Sequence, residues 1–250
     1  MKLIIVGSSG FVGKELVRQA IISPAVTSVV GISRRETPVP ESLKDSSDAA
    51  KFTSIVCDDF LNYSDNVKQH LSNADACVWL MAVTPRNSSK MPWDEVRKIC
   101  LDYTIAGLEE LSKAPRNNTT KPLHFVYVSG ANAERDQSKK PWVLGDYCLM
   151  RGEVETRVLD FAKSSNNAID ACVVKPGLIR DPQQGNILTN TLQNVTTSII
   201  SLPIVYLHDV AATLLKQATE GFEKETLVCD DITRIGGGEI KSCAIIAAPI

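Results

Sequence analysis

A tyrosine and an arginine stand four residues apart in the stretch GDYCLMRGEVE, residues 145–155. On a helix, positions i and i+4 share a face, so Tyr147 and Arg151 belong together. A phenol with an ordinary pKa near 10 exchanges protons poorly at neutral pH. A cation beside it favours the phenolate and makes the hydroxyl a better acid. Arginine supplies that charge but stays protonated, so it is no proton relay. Ser129 ends an apolar run eighteen residues before Tyr147, where a hydroxyl can orient a substrate oxygen. Tyr147, Arg151 and Ser129 are the candidate catalytic set. The competing reading of Tyr147 is a ring packed on a ligand without chemistry.

A second constellation suits phosphate binding. In VGSSGFVG, Gly7, Gly10 and Gly13 follow the apolar run KLIIV and open a stretch of helical period. Gly7 allows a tight turn, Gly10 leaves a pyrophosphate room to reach the helix N-terminus, and Gly13 lets helix and strand lie close. Ser9, Phe11 and Val12 complete this turn. The next apolar run ends GISRRE. An acidic residue there would hold the adenosine ribose hydroxyls of NAD; Ser33, Arg34 and Arg35 instead favour an added 2′-phosphate, hence NADP(H). A solvated arginine pair is the competing reading. Asp58 and Asp59, after the third run, suit an adenine amino group or a solvated turn. Ala82 and Val83, ending the fourth run, are also candidate cofactor contacts.

The elements that must position these residues follow from periodicity. Strand-length apolar runs occur at Lys2–Val6, Thr27–Ile32, Thr53–Cys57, Ala76–Val83, Leu123–Val128 and Asp170–Val174. Helical patterns fit the segment after Val12, Trp93–Lys113, Tyr147–Ser164 and His208–Gly221. Uniformly apolar strands separated by helices predict a parallel sheet covered on both faces, the doubly wound α/β arrangement. No linker divides the chain, so residues 1–250 are expected to form one domain, with 177–250 contributing a small substrate-side cap. The polar segment Arg180–Pro203 is expected to line the pocket. From Gly177 onward the pattern turns irregular, and the tail, with its triplet Gly236–Gly238, either helps cover the crevice, packs on the body or is disordered.

These residues resemble the atypical short-chain dehydrogenase/reductases, especially the Tat-interacting-protein-like and NmrA-like groups. The glycine turn, the SRR ending and YCLMRGEVE carry the resemblance. Thr84 and Arg86 in VTPR, Asp102 and Tyr103 in LDYT, and Pro176 and Gly177 in KPG are similar to further family segments. The resemblance implies a Rossmann fold, bound NADPH and reduction of carbonyl compounds, and adds Pro176 and Gly177 to the cofactor contacts. Two positions depart from it. Arg151 stands where the family has lysine, either as an active-site cation or as an inert replacement. Gly130 stands where many relatives keep a catalytic hydroxyl, which would leave Ser129 on the cofactor side.

Composition excludes several classes. The chain is 44% hydrophobic and 22% charged with a formal net charge of -2, so bulk charge suggests neither nucleic-acid nor membrane binding. The seven cysteines are dispersed without a Cys-x-x-Cys pair and read as reduced core thiols; no metal site is expected. The N-terminus reads as a strand rather than a leader, and a cytoplasmic protein is expected. The leading function is an NADPH-dependent reductase of a small carbonyl or conjugated compound, acting as monomer or homodimer. A non-redox isomerase or cyclase and an inactive NADP(H)-binding regulator remain open, because fold alone does not separate them.

Overall fold

The chain alternates β-branched runs with amphipathic stretches, and each type found its own layer. The structure, a computed structural model, describes residues 1–118, 120–182 and 202–246, with side chains through residue 237. Strands β1 (Lys2–Val6), β2 (Ser28–Ser33), β3 (Phe52–Val56), β4 (Ala76–Trp79), β5 (Leu123–Val128) and β6 (Ile169–Val174) match the six predicted runs. A seventh, β9 (Thr226–Leu227), adds an edge that the sequence pattern did not show. All seven pair in parallel in the order β3-β2-β1-β4-β5-β6-β9.

Period-two alternation divides each strand between two cores. Ile4, Val6, Cys77, Trp79, Phe125 and Tyr127 face one layer, formed by α2 (Asp65–Leu71), α5 (Tyr103–Lys113) and α6 (Gly145–Ser164). Leu3, Ile5, Ala76, Val78 and Val126 face the other, formed by α1 (Phe11–Ile22), α7 (Leu207–Glu220) and α8 (Cys229–Ile246). Covering both faces buries the strands completely, which is why they read as unbroken apolar runs. The strand order reverses between β1 and β4. Crossovers therefore diverge there and leave a crevice at the carboxyl ends of the strands.

Three expectations change. The fourth strand ends at Trp79 rather than Val83. Leu80 N still donates to Val6 O at 2.9 Å, but the chain then leaves the sheet for the short helix α3 (Pro85–Ser88). The long helix from Trp93 is continuous but not uniform. Helix α4 (Trp93–Arg97) passes through a π-helical turn, Lys98–Asp102, into α5.

The tail is ordered into helix α8, glycines included. A Cβ on Gly236 would overlap the Asp209 backbone, so this glycine permits close contact between α7 and α8 instead of breaking the helix. Of the span 177–250, Gly177, Ile179 and Leu202 line the crevice, as described next. Residues 204–246 largely cover the sheet and pair β7 (Leu178–Arg180) with β8 (Ile204–Tyr206). Most of the polar segment expected to line the pocket, 183–201, lies outside the described residues.

Candidate active site

The glycine turn has the geometry its spacing requires. Gly7 sits at φ +89°, a conformation that side-chain-bearing residues rarely adopt. Its N–H donates to Ile32 O at 2.8 Å, and its carbonyl accepts from Gly10 N at 3.0 Å. A Cβ on Gly13 would overlap that same carbonyl, so only glycine lets α1 start this close to β1. Gly10 caps α1 with no side-chain hydrogen bond to the first turn. The N–H groups of that turn, at Phe11, Val12 and Gly13, thus keep their donor capacity for an anion. Ser9 is half-buried and Phe11 exposed beside them.

Ser33, at the end of β2, is buried. Its Oγ donates to Arg35 O at 2.6 Å, bracing the turn that leaves Arg34 and Arg35 exposed to solvent. Ser8 and Thr37 share a 2.7 Å hydrogen bond next to it. Asp58 and Asp59 are exposed. Hydrogen bonds from the Asn62 side chain and Leu61 N, both 2.8 Å, hold the Asp59 carboxyl below the usual range. Asp59 therefore orders its own turn.

A cavity of about 380 Å³ opens at the carboxyl ends of β4, β5 and β6. It brings together Tyr147, Arg151 and Ser129 with the predicted contacts Ala82, Val83, Pro176 and Gly177. The glycine turn and the Arg34–Arg35 end lie outside its lining. Thr84 also lines the cavity, while Arg86 and Asp102 are exposed. Tyr103 packs on Phe60, ring centroids 5.6 Å apart.

Within the cavity wall, Tyr147 Oη donates to Val83 O at 2.7 Å. Burial pushes the phenol up to about 12, against the opposing pull of the Arg151 cation. Tyr147 is therefore protonated at neutral pH but a weaker acid than a free phenol, so burial outweighs the activation expected from the Arg151 cation. Arg151 is only 3% exposed. Its Nη2 donates to Val128 O at 2.7 Å, and its guanidinium lies 5.1 Å from the Tyr127 ring centroid. Burial opposes its charge, but Tyr127, Tyr147 and Cys100 around it hold its pKa above the ordinary value. Its Nη1 is buried with no hydrogen-bond partner. That nitrogen is enclosed by packed protein, so Arg151 acts on the cavity through its charge rather than through an open donor.

The third candidate is engaged elsewhere. Ser129 Oγ donates to Glu155 Oε1 at 2.6 Å. Glu155 is fully buried and also takes Arg135 Nε at 2.7 Å and Lys175 Nζ at 3.3 Å. Arg135 reaches on to Thr226 Oγ1 at 2.7 Å, so this cluster ties the end of β5 to α6, β6 and β9. In this arrangement the single Ser129 proton is committed, and Ser129 can only accept from a ligand.

Sequence reading overlooked several residues. Glu155 lay in plain sight in the GEVE tetrad without an assigned role. Lys175 and Arg135 carry no local signal, because they meet Glu155 only through the fold. Cys100 reads as a core cysteine, yet the π-helical turn aims its Sγ at Val83 N, 3.3 Å away. The Val83 peptide is thus held from both sides, by Cys100 at its N–H and by Tyr147 at its carbonyl.

This is a Rossmann fold. Among solved structures, the chain is similar to MoeE5 in complex with UDP-glucuronic acid and NAD, with TM-score 0.65 and 16% identity, covering 91% of this chain and 75% of that one. It is similar to the UDP-glucuronic acid 4-epimerase from Bacillus cereus at TM-score 0.65 and 18% identity, covering 92% and 77%. The PhqB reductase domain from Penicillium fellutanum gives TM-score 0.66 and 17% identity over 92% and 67%. The fold is therefore one shared with NAD-bound epimerases and with a reductase domain. No family model matches the chain.

Two curated relatives align by sequence. The mitochondrial protein fmp52 of Emericella nidulans is 26% identical over 70% of this chain and 65% of its own length. The mitochondrial FMP52 of Candida albicans is 24% identical over 98% of both. The cytoplasmic expectation is overturned by these two relatives, both named as mitochondrial. Among the described residues, no helix is long and apolar enough to cross a membrane.

Proposed function

We propose that the chain is an NADPH-dependent reductase of a small carbonyl or conjugated compound. The observation that carries this reading is the pairing of Tyr147 and Arg151 in one cavity at the carboxyl ends of the strands. The residues present fit a dinucleotide. Gly7, Gly10 and Gly13 leave the first-turn N–H groups of α1 open to a pyrophosphate, and Arg34 and Arg35 are exposed where a 2′-phosphate would sit. When bound, the cofactor supplies hydride to the substrate.

The chain's own residues supply position and charge. Tyr147 Oη gives its proton to the substrate oxygen, exchanging Val83 O for that acceptor. The Arg151 cation, fixed by Val128 O, stabilises the negative charge that develops there, because a preorganised charge in a dry site costs no reorganisation. The apolar wall excludes water. The mitochondrial designation of both relatives supports a mitochondrial setting. Neighbours titled as nucleotide-sugar enzymes support the use of a dinucleotide on this fold.

One observation favours the non-catalytic alternative. Tyr147, Arg151 and Ser129 each already hold an internal partner. NADPH oxidation with a ketone, in the parent and in Tyr147→Phe, separates the two readings, and titration of the purified protein with NADPH and NADH, followed by fluorescence, tests the binding both require. At least tenfold tighter NADPH binding, lost in Arg34→Ala/Arg35→Ala, is expected. Absence of binding by either nucleotide sinks the reductase and the regulator together.

A further inference from the structure

We infer that the substrate is a hydrocarbon-tailed carbonyl compound, with its oxygen at Tyr147 and its tail leaving past Val143 and Leu144. This rests on the reductase reading and names its substrate class. Among the described residues, no carboxylate and no lysine lines the cavity. Its wall is mostly hydrocarbon, from Pro85, Ala131, Val143, Leu144, Ile179 and Leu202 among others. Of the described polar side chains, Ser129 has its proton on Glu155, Tyr147 and Arg151 both project from α6, and Thr84 and Asn132 are the other two. A sugar or phosphate would find few partners and would leave its own polar groups unpaired, at a cost that apolar contact cannot offset. A single oxygen with an apolar body matches the donor available, the Tyr147 hydroxyl, beside the buried Arg151 charge.

The apolar surface does not end inside the cavity. The loop ahead of α6 places Trp142, Val143 and Leu144 in sequence at the helix start, 98%, 36% and 42% exposed. A tryptophan wholly in water is unusual for a side chain of its apolar area. Leu144 takes the left-handed conformation, φ 53° and ψ 34°, which is rare for a bulky residue. The loop is pinned on both sides, by Lys139 to Asp136 at 3.1 Å and by Lys140 to Asp146 at 2.8 Å. Val143 and Leu144 thus belong both to the cavity wall and to the exposed rim, with Trp142 next along the chain. A tail longer than the cavity is met by this rim.

The test uses the full chain with NADPH and a series of methyl ketones from four to ten carbons. Dihydroxyacetone serves as the polar control. Binding of the matching primary amides, which are not reduced, is followed in parallel. Both kcat/KM for the ketones and amide affinity are expected to rise about fourfold per methylene. Trp142→Ala, at a fully exposed position, is expected to flatten only the long end of the series. Leu144→Asn, which tolerates the left-handed conformation, flattens more of it. A flat series, or preference for dihydroxyacetone, overturns the inference while NADPH oxidation keeps the reductase reading. A rising amide series without NADPH oxidation does the reverse.

Discussion

Ser129 Oγ donates to the fully buried Glu155 carboxylate at 2.6 Å, and that carboxylate also holds Arg135 and Lys175. The Ser129 hydroxyl, expected from the sequence to orient a substrate, is thereby part of a charge cluster joining four elements. Removing Glu155 leaves two cations facing each other at the end of the sheet. Glu155→Ala is expected to cost about 3–5 kcal/mol in denaturant unfolding, since breaking a buried pair strands its partners. Adding Arg135→Met and Lys175→Met should recover part of that loss. A cost below about 1 kcal/mol for the single variant would show that the cluster is well solvated.

Tyr147→Phe removes the proposed acid while keeping the ring. NADPH oxidation with a reducible ketone is expected to fall by about 10²–10⁴, the usual contribution of a positioned acid. Losing the bond to Val83 O should cost only about 1 kcal/mol of stability. Retained turnover in this variant would move the proton donor elsewhere.

The two glycines that flank this region should respond oppositely to alanine. A Cβ on Gly130 meets nothing within 4 Å, whereas one on Gly152 would overlap Glu134 O. Gly130→Ala, or Gly130→Ser, is expected to leave the unfolding free energy within about 0.5 kcal/mol of the parent. Gly152→Ala should cost about 3 kcal/mol as α6 is pushed off the loop after β5. Gly130→Ser also places a hydroxyl on the cavity wall at the end of β5, and its kcat is the measurement to compare with the parent.

Stability should fall on the alkaline side. Burial, with Asp58 and Asp59 adding to it, raises the Cys57 thiol from near 9 to about 11. Burial likewise lifts Cys172 to about 12 and Tyr147 to about 12. These acids ionise first in the unfolded chain, so the stability they confer is intact below about pH 9 and lost as pH rises through 11 to 12. Melting temperatures under reducing conditions should be level from neutrality to pH 9 and then drop. Cys57→Ala should shrink the part of the drop below pH 11. An unchanged slope in that variant would assign the drop to other groups.

Much of the fold was legible in the sequence because the signals are local. Six parallel strands announce themselves as unbroken apolar runs, since a sheet covered on both faces has no polar side to alternate with. The glycine turn was legible for the same reason: φ and close approach at Gly7 and Gly13 restrict the residue type at single positions. Tyr147 and Arg151 share a helix, so their spacing alone sets them side by side. Nothing local marked β9, two residues long, or the glycine-containing helix α8, whose place is set by contact with α7. The partners of each catalytic candidate were equally hidden. Val83 lies in the loop after β4, Cys100 in the π-helical turn, Val128 at the end of β5 and Glu155 in α6, and only packing brings them within hydrogen-bond distance of their partners. Sequence thus determined which side chains could do chemistry; tertiary structure decided which of their protons remain free to do it.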